Sequence, residues 1–276
     1  MTAVAPSITE LDAIARRLRL DSIKMIAAAN SGHPGGSLSA ADIVTALYFG
    51  GVLKHDPKRP DWPDRDRFIL SKGHGVPVLY AALAERGYFP TSELKTLRQV
   101  DSRLQGHPVQ GLTPGIEAST GSLGQGLSIG IGHAIAGRLD GKHYRTYVLL
   151  GDGECQEGQV WEAVMAAGNY ELDTLIAIVD NNRYQLDGPV EEINSIQPLA
   201  DKFRTFKWHT LEVDGHDIGA VLDALHQARA HEGRPTCIIA HTVKGKGVTF
   251  MENNNEFHGK APNADQLAVA LGQLDG

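Results

Sequence analysis

Asp152 stands between two glycines in GDGECQEGQVWEA, and Asn182 follows thirty residues later in IVDNNRYQLDG. Each comes at the end of a short apolar run, TYVLLGD or LIAIVDN, that reads as a β-strand. A carboxylate, an amide oxygen and a backbone carbonyl are hard oxygen donors, suited to Mg²⁺ or Ca²⁺ and not to zinc. Mg²⁺ keeps coordination positions for substrate phosphates, so few protein ligands are expected. Gly151 and Gly153 let phosphates approach the backbone, and the helix that opens behind them offers its positive end. The pair points to a metal-bridged diphosphate. A Gly-Asp-Gly turn or an Asn-Asn turn taken singly is ordinary loop chemistry. The two together, each at a strand end, outweigh that reading.

Of twelve histidines, three lie in GHP or GHG settings: His33 in SGHPGG, His74 in KGHG and His107 in QGHPVQG. Imidazole titrates near neutral pH, which suits proton traffic on sugar hydroxyls, and a flanking glycine clears space for a ligand. A lone histidine is more often structural; the repetition of the setting sets these three apart. His133, His143, His209, His226 and His231 lack it and read as structural or solvated. KGKG at Lys244–Gly247 reads either as a flexible basic loop or as one that orders over a diphosphate, and its place before FHG favours the second.

Apolar residues from Ile8 to Leu18 recur at helical spacing and predict an amphipathic helix over Ile8–Ala29, with RRLRL as a solvated face. Strands are predicted at Arg67–Ser71, Thr146–Asp152, Leu175–Asn181 and Cys237–Thr242, and helices over Trp161–Tyr170 and Ile218–Ala230. Strands that are apolar throughout and alternate with helices imply an α/β fold, a parallel sheet sandwiched by helices. Ligands of such sheets gather beyond the carboxyl ends of the strands, where Asp152 and Asn182 both fall. Gly126, Gly130 and Ala134 make one smooth helix face, for tight packing within the domain or against another subunit. WPDRDR reads as a surface loop with Trp62 partly buried. The stretch after about Asn253 reads as a looser tail to one domain spanning 1–276.

Net charge is 26 − 33 = −7, which argues against nucleic acid or an anionic membrane as the main partner. Two cysteines, Cys155 and Cys237, make no disulfide framework, so a reducing cytoplasm is expected. No apolar run approaches the ~18–20 residues of a spanning helix. The first twenty residues carry acids early and no uninterrupted apolar core, unlike a signal peptide.

GDG followed about 27 residues later by NN resembles the thiamine diphosphate signature. NSGHPGGSLSAADI, RFILSKGHGVPVLYAAL, QGHPVQG, STGSLGQGLSIGIGHA and HTVKGKGVTFMENNNEFHG extend the likeness from about Leu11 to about Pro262. Together they resemble the diphosphate-binding half of the transketolase family. The resemblance implies the thiamine diphosphate-binding fold and a divalent cation held by Asp152, Asn182 and the carbonyl of Tyr184. It implies Gly153, His74, His258 and Lys244 beside the diphosphate, and Gly121, Ser122 and Leu123 at the aminopyrimidine ring. His33, His107 and His258 are implied to bind donor and acceptor hydroxyls or move protons, and Glu157 and Glu162 to face a partner subunit near the cofactor.

The match is not uniform. Ser122 stands where many members have proline, Lys72 where asparagine is common, and Tyr184 where a smaller aliphatic residue is common. The family's activating glutamate and its sugar-phosphate arginines belong to a pyrimidine-binding domain that this sequence does not contain. The resemblance thus implies one subunit of a split enzyme, completed by a separate chain with two copies of each. Its implied activity is transfer of a two-carbon ketol unit between sugar phosphates. A 2-oxo acid decarboxylating or deoxyxylulose phosphate synthase subunit, or a cofactor-binding module without catalysis, stands as the alternative; the glycine-flanked histidines favour ketol transfer.

Overall fold

A computed structural model describes residues 6–275. The first five residues, part of the stretch contrasted above with a signal peptide, and Gly276 lie outside it. Five strands form a wholly parallel sheet in the order β1-β2-β3-β5-β4: β1 Arg67–Leu70, β2 Thr146–Gly151, β3 Leu175–Asn181, β4 His209–Asp214 and β5 Thr236–His241. The helices are α1 Ile8–Ala29, α2 Pro34–Ser39, α3 Ala41–Phe49, α4 Val76–Glu85, α5 Gln125–Leu139, α6 Gly158–Asn169, α7 Val190–Asn194, α8 Leu199–Thr205, α9 Ile218–Ala230 and α10 Ala264–Asp275.

The period-2 alternation of strand side chains divides the apolar residues between two cores. Phe68, Tyr147, Leu149, Ile176 and Ile178 pack with α1, α3, α4 and α9 on one face. Ile69, Val148, Leu150, Ala177 and Val179 pack with α5, α6 and α8 on the other. Because both faces are covered, β3 is buried at every residue. Each such Ile or Val contributes roughly 1.5–3 kcal/mol by leaving water. The sequence HTLEVD of β4 is not apolar throughout: Leu211 and Val213 alternate with polar residues and pack on the first core. It forms one edge of the sheet, half-exposed along much of its length, and pairs with β5.

α1 has the bounds read from its sequence and is fixed at its start by a capping box: Glu10 N–H donates to Ser7 Oγ at 3.3 Å, and Ser7 N–H donates to Glu10 Oε2 at 2.7 Å. Its RRLRL stretch is not a solvated face throughout. Arg16 and Arg17 are exposed, but Arg19 is buried and paired with Asp42 of α3. Spacing alone cannot separate an exposed arginine from one that meets a buried carboxylate.

The chain after Asn253 is not a loose tail. A 3₁₀ turn spans Asn255–His258, and α10 packs against α1, burying Ala270 and Leu274 with Val248 and Met251. Its start carries a reciprocal box, Gln266 N–H to Asn263 Oδ1 at 2.9 Å and Asn263 N–H to Gln266 Oε1 at 3.0 Å.

The small-residue stripe of α5 is spent inside the fold rather than on an exposed face. A Cβ on Gly126 would stand 2.3 Å from Ser71 Oγ, and one on Gly130 would stand 2.5 Å from Val148 Cγ2. Trp62 is half-buried between the cations of Lys54 and Arg59.

Candidate active site

Four strands end at one pocket. Lys72 and His74 follow β1, Asp152 and Gly153 follow β2, Asn182 and Tyr184 follow β3, and Lys244 follows β5. Leu123, Glu157 and His258 close its wall. The polar ends collect here because parallel strands all point the same way and their carboxyl ends carry the loops. His33 and His107 stand beside this pocket, with the His33 ring centroid 5.3 Å from His74, 5.6 Å from His258 and 6.1 Å from His107. Gly121 adjoins the same group: its φ is +139° and a Cβ there would lie 2.9 Å from the His107 ring. Ser122 is exposed on the same loop, and Glu157 and Glu162 are exposed at the start of α6.

The four histidines are held neutral at pH 7. Burial, reinforced by Arg98, His107 and Lys244, lowers His33 to about 4. Burial and the Lys244 ammonium lower His258 to about 3. Burial and Lys72 take His74 well below its ordinary value, and burial and Arg98 lower His107. Lys244 Nζ lies 2.9 Å from His258 Nδ1. The ammonium can only donate, so Nδ1 accepts and the His258 proton sits on Nε2. Burial, with Lys72 nearby, lowers Lys244 itself to about 8. KGKG is therefore no flexible loop: Lys244 is 1 % exposed, and Gly245 at φ +81° has no room for a Cβ against Met251 O.

Asp152 is 1 % exposed and makes no ion pair among the described residues. Its Oδ1 accepts from Gly153 N–H at 2.9 Å and its Oδ2 from Arg183 N–H at 2.6 Å. Burial and the nearby Asp180 raise it to about 7, and the two amides only partly offset them. A buried carboxylate short of positive charge, facing a pocket, fits a cation. Asn182 Oδ1 accepts from Tyr184 N–H at 3.1 Å and keeps a second lone pair. Gly153 leaves the way open, since a Cβ there would come 2.6 Å from Gln185 Cβ and 3.6 Å from the Tyr184 carbonyl. Among the described residues no three His, Cys, Asp or Glu side chains converge on a metal position. One carboxylate with two neutral oxygens is what a cation shared with a diphosphate asks of a protein.

Residues 11–274 match the model of the family described as transketolase, thiamine diphosphate binding domain. The chain belongs to the transketolase family. It is 44% identical over 262 residues to a 6-deoxy-6-sulfo-D-fructose transketolase subunit of Clostridium sp. (strain MSTE9), covering 95% of this chain and 94% of the relative. It is 40% identical over 265 residues to an apulose-4-phosphate transketolase subunit of Phocaeicola vulgatus, covering 96% and 93%. The crystal structure of transketolase from Campylobacter jejuni superposes with a TM-score of 0.92 at 34% identity, covering 98% of this chain and 43% of that one. The chain thus spans less than half of the full-length transketolase and nearly all of the subunits.

Two buried groups of this transketolase domain escape a reading based on motifs alone. Lys72, legible only as a departure from the common asparagine, places its Nζ on Gly36 O at 2.8 Å and on Asp180. Asp180 also accepts from Ser39 Oγ at 2.6 Å and from Thr242 Oγ1. Burial pushes the Asp180 carboxyl up, but Lys72 and the two hydroxyls outweigh it and hold it below the usual range. Glu154 accepts from Gly124 N–H at 3.0 Å, Gly151 N–H at 3.1 Å and Ser71 Oγ, tying the loop after Gly121 to the ends of β1 and β2. The GDGE string contains Glu154, but nothing in its spacing says that it turns inward.

Proposed function

We propose that this chain is the diphosphate-binding subunit of a transketolase-type enzyme that moves a two-carbon ketol unit from a ketose phosphate to an aldose or aldose phosphate. The observation that carries this reading is the juxtaposition of an uncompensated buried carboxylate, Asp152, with a wall of four neutral histidines around one pocket. In it, Asp152, Asn182 and the Tyr184 carbonyl hold Mg²⁺ or Ca²⁺ against the diphosphate of thiamine diphosphate. Gly153, His74, Lys244 and His258 contact the diphosphate oxygens, and Glu157 lies at the pocket rim. Gly121, Ser122 and Leu123 support the aminopyrimidine ring. When bound, the cofactor supplies the nucleophilic carbon that carries the ketol unit. His33, His107 and His258 orient substrate hydroxyls, take protons at a bare ring nitrogen and return them from the imidazolium so formed. The sulfofructose and apulose phosphate named for the relatives support a ketose substrate and leave its far end to be read by experiment.

The whole of 1–276 serves as one cofactor-binding domain in this reading. A separate chain supplies the pyrimidine domain, two copies of each forming the enzyme. The subunit names of the relatives support this arrangement. Among the described residues no helix is long and apolar enough to cross a membrane, and Cys155 and Cys237 are buried free thiols, which supports a cytoplasmic site. The test mixes this chain with a pyrimidine-domain chain, thiamine diphosphate, Mg²⁺, a ketose phosphate and an aldose acceptor. Exchanged sugars are expected only with both chains and should saturate near one to one. Robust turnover by this chain alone overturns the split-enzyme reading.

A further inference from the structure

His216 lies outside the pocket, in the turn between β4 and α9, yet it reaches the segment that carries Lys244. Its Nδ1 is 2.6 Å from Asp42 Oδ2, and its Nε2 is 2.8 Å from Val243 N. The two partners settle its state. A carboxylate can only accept, so Nδ1 carries the proton; an amide N–H can only donate, so Nε2 is bare. The Asp42 carboxylate is in turn held by Arg19, whose Nη1 lies 3.0 Å from Oδ1 and whose Nε donates to Leu38 O at 3.1 Å. His216 N–H donates to Asp214 Oδ1 at 2.8 Å, which fixes the turn itself. Next along the chain, Gly245 N–H donates to Gly35 O at 3.1 Å, and the Lys244 stem passes 3.0 Å from where a Cβ on Gly35 would stand.

We propose that His216 is a positioning residue: its imidazole, oriented by Asp42, fastens the Val243 amide and so holds Lys244 and, through it, His258 over the pocket, making the seat for the cofactor's diphosphate dependent on a group outside that seat. The proposal rests on the assignment of Lys244 and His258 to the diphosphate.

Two readouts on this chain keep the proposal and that assignment apart. The first is hydrogen exchange of the Val243 amide by NMR, corrected for the intrinsic pH dependence of exchange. His216→Ala should cut its protection by about tenfold, the size of one hydrogen bond. His216→Gln keeps an acceptor on the side chain, so it should restore protection close to that of the wild type. The second is calorimetric affinity for thiamine diphosphate with Mg²⁺ at a single pH. His216→Ala should weaken it by up to about tenfold, and His216→Gln should restore it. Val243 protection that His216→Ala leaves unchanged, or that His216→Gln fails to restore, overturns the tether. A tether that behaves as expected while His216→Ala leaves cofactor affinity unchanged refutes the diphosphate assignment instead.

Discussion

Asp152 and Asp180 lie at the ends of adjacent strands, β2 and β3, and both are buried. Their surroundings differ in kind. Asp180 receives the Lys72 ammonium and two hydroxyls and is held below the usual carboxylate range, a charge satisfied by the fold. Asp152 receives only two backbone amides, sits in the field of Asp180 and is pushed up to about 7. Burial is common to the two; the placement of positive charge separates them. A buried carboxylate with its counter-charge inside the protein holds strand ends together. One that makes no ion pair of its own, with Lys72 only partly offsetting its burial, and opens on a pocket is poised to take a cation from outside.

The largest expected effect separates the two sites outright. Asp152→Ala should abolish binding of thiamine diphosphate with Mg²⁺, measured by calorimetry, while circular dichroism stays that of the wild type. Normal binding by that variant removes Asp152 from the metal. Next come the histidines on the pocket's far wall. His33→Ala and His107→Ala should lower turnover of the reconstituted enzyme by about 10²–10⁴-fold with cofactor affinity nearly unchanged; loss of both together would make them structural. His258→Ala, beside Lys244, should injure both.

The third effect belongs to Asp180. Lys72→Met leaves that carboxylate buried and unpaired, and urea denaturation should register a loss of about 3–5 kcal/mol. If the loss is below about 1 kcal/mol, the ion pair is not what stabilises the strand ends. The smallest effect is in pH. The raised Asp152 contributes stability that is complete below the unfolded carboxylate value of 3.8 and lost as pH rises through about 7. Asp152→Asn should therefore stabilise the metal-free chain at pH 8, with the gain fading toward pH 4. His33 and His258 act in the opposite sense. Their depressed values make the unfolded chain the better proton binder below 6.5, so stability falls as pH drops from 6.5 toward about 4 and about 3. Melting temperatures of the wild type and Asp152→Asn across pH 4–8 separate the two trends.

Much of this protein was determined by local sequence. The bounds of α1, β3 and α9 follow from periodicity, and the strand ends that carry Asp152 and Asn182 follow from apolar runs closed by glycine or asparagine. The GHP and GHG histidines announced themselves, because that setting is a local feature. Only the tertiary structure decided what depends on partners far away in the chain. β4 takes its place at the sheet edge through its pairing with β5, since only Leu211 and Val213 of its residues are apolar. Arg19 is buried because Asp42 is, and the α5 stripe turned inward because Ser71 and Val148 stand where a Cβ would go. The division of labour between Asp152 and Asp180 was equally hidden. Each ends an apolar strand, and only the folded positions of Lys72, Ser39 and Thr242 settle which one keeps its charge compensated. Periodicity and turn chemistry act over a few residues and are written in the sequence, whereas electrostatic compensation acts through space between loops that the sheet alone brings together.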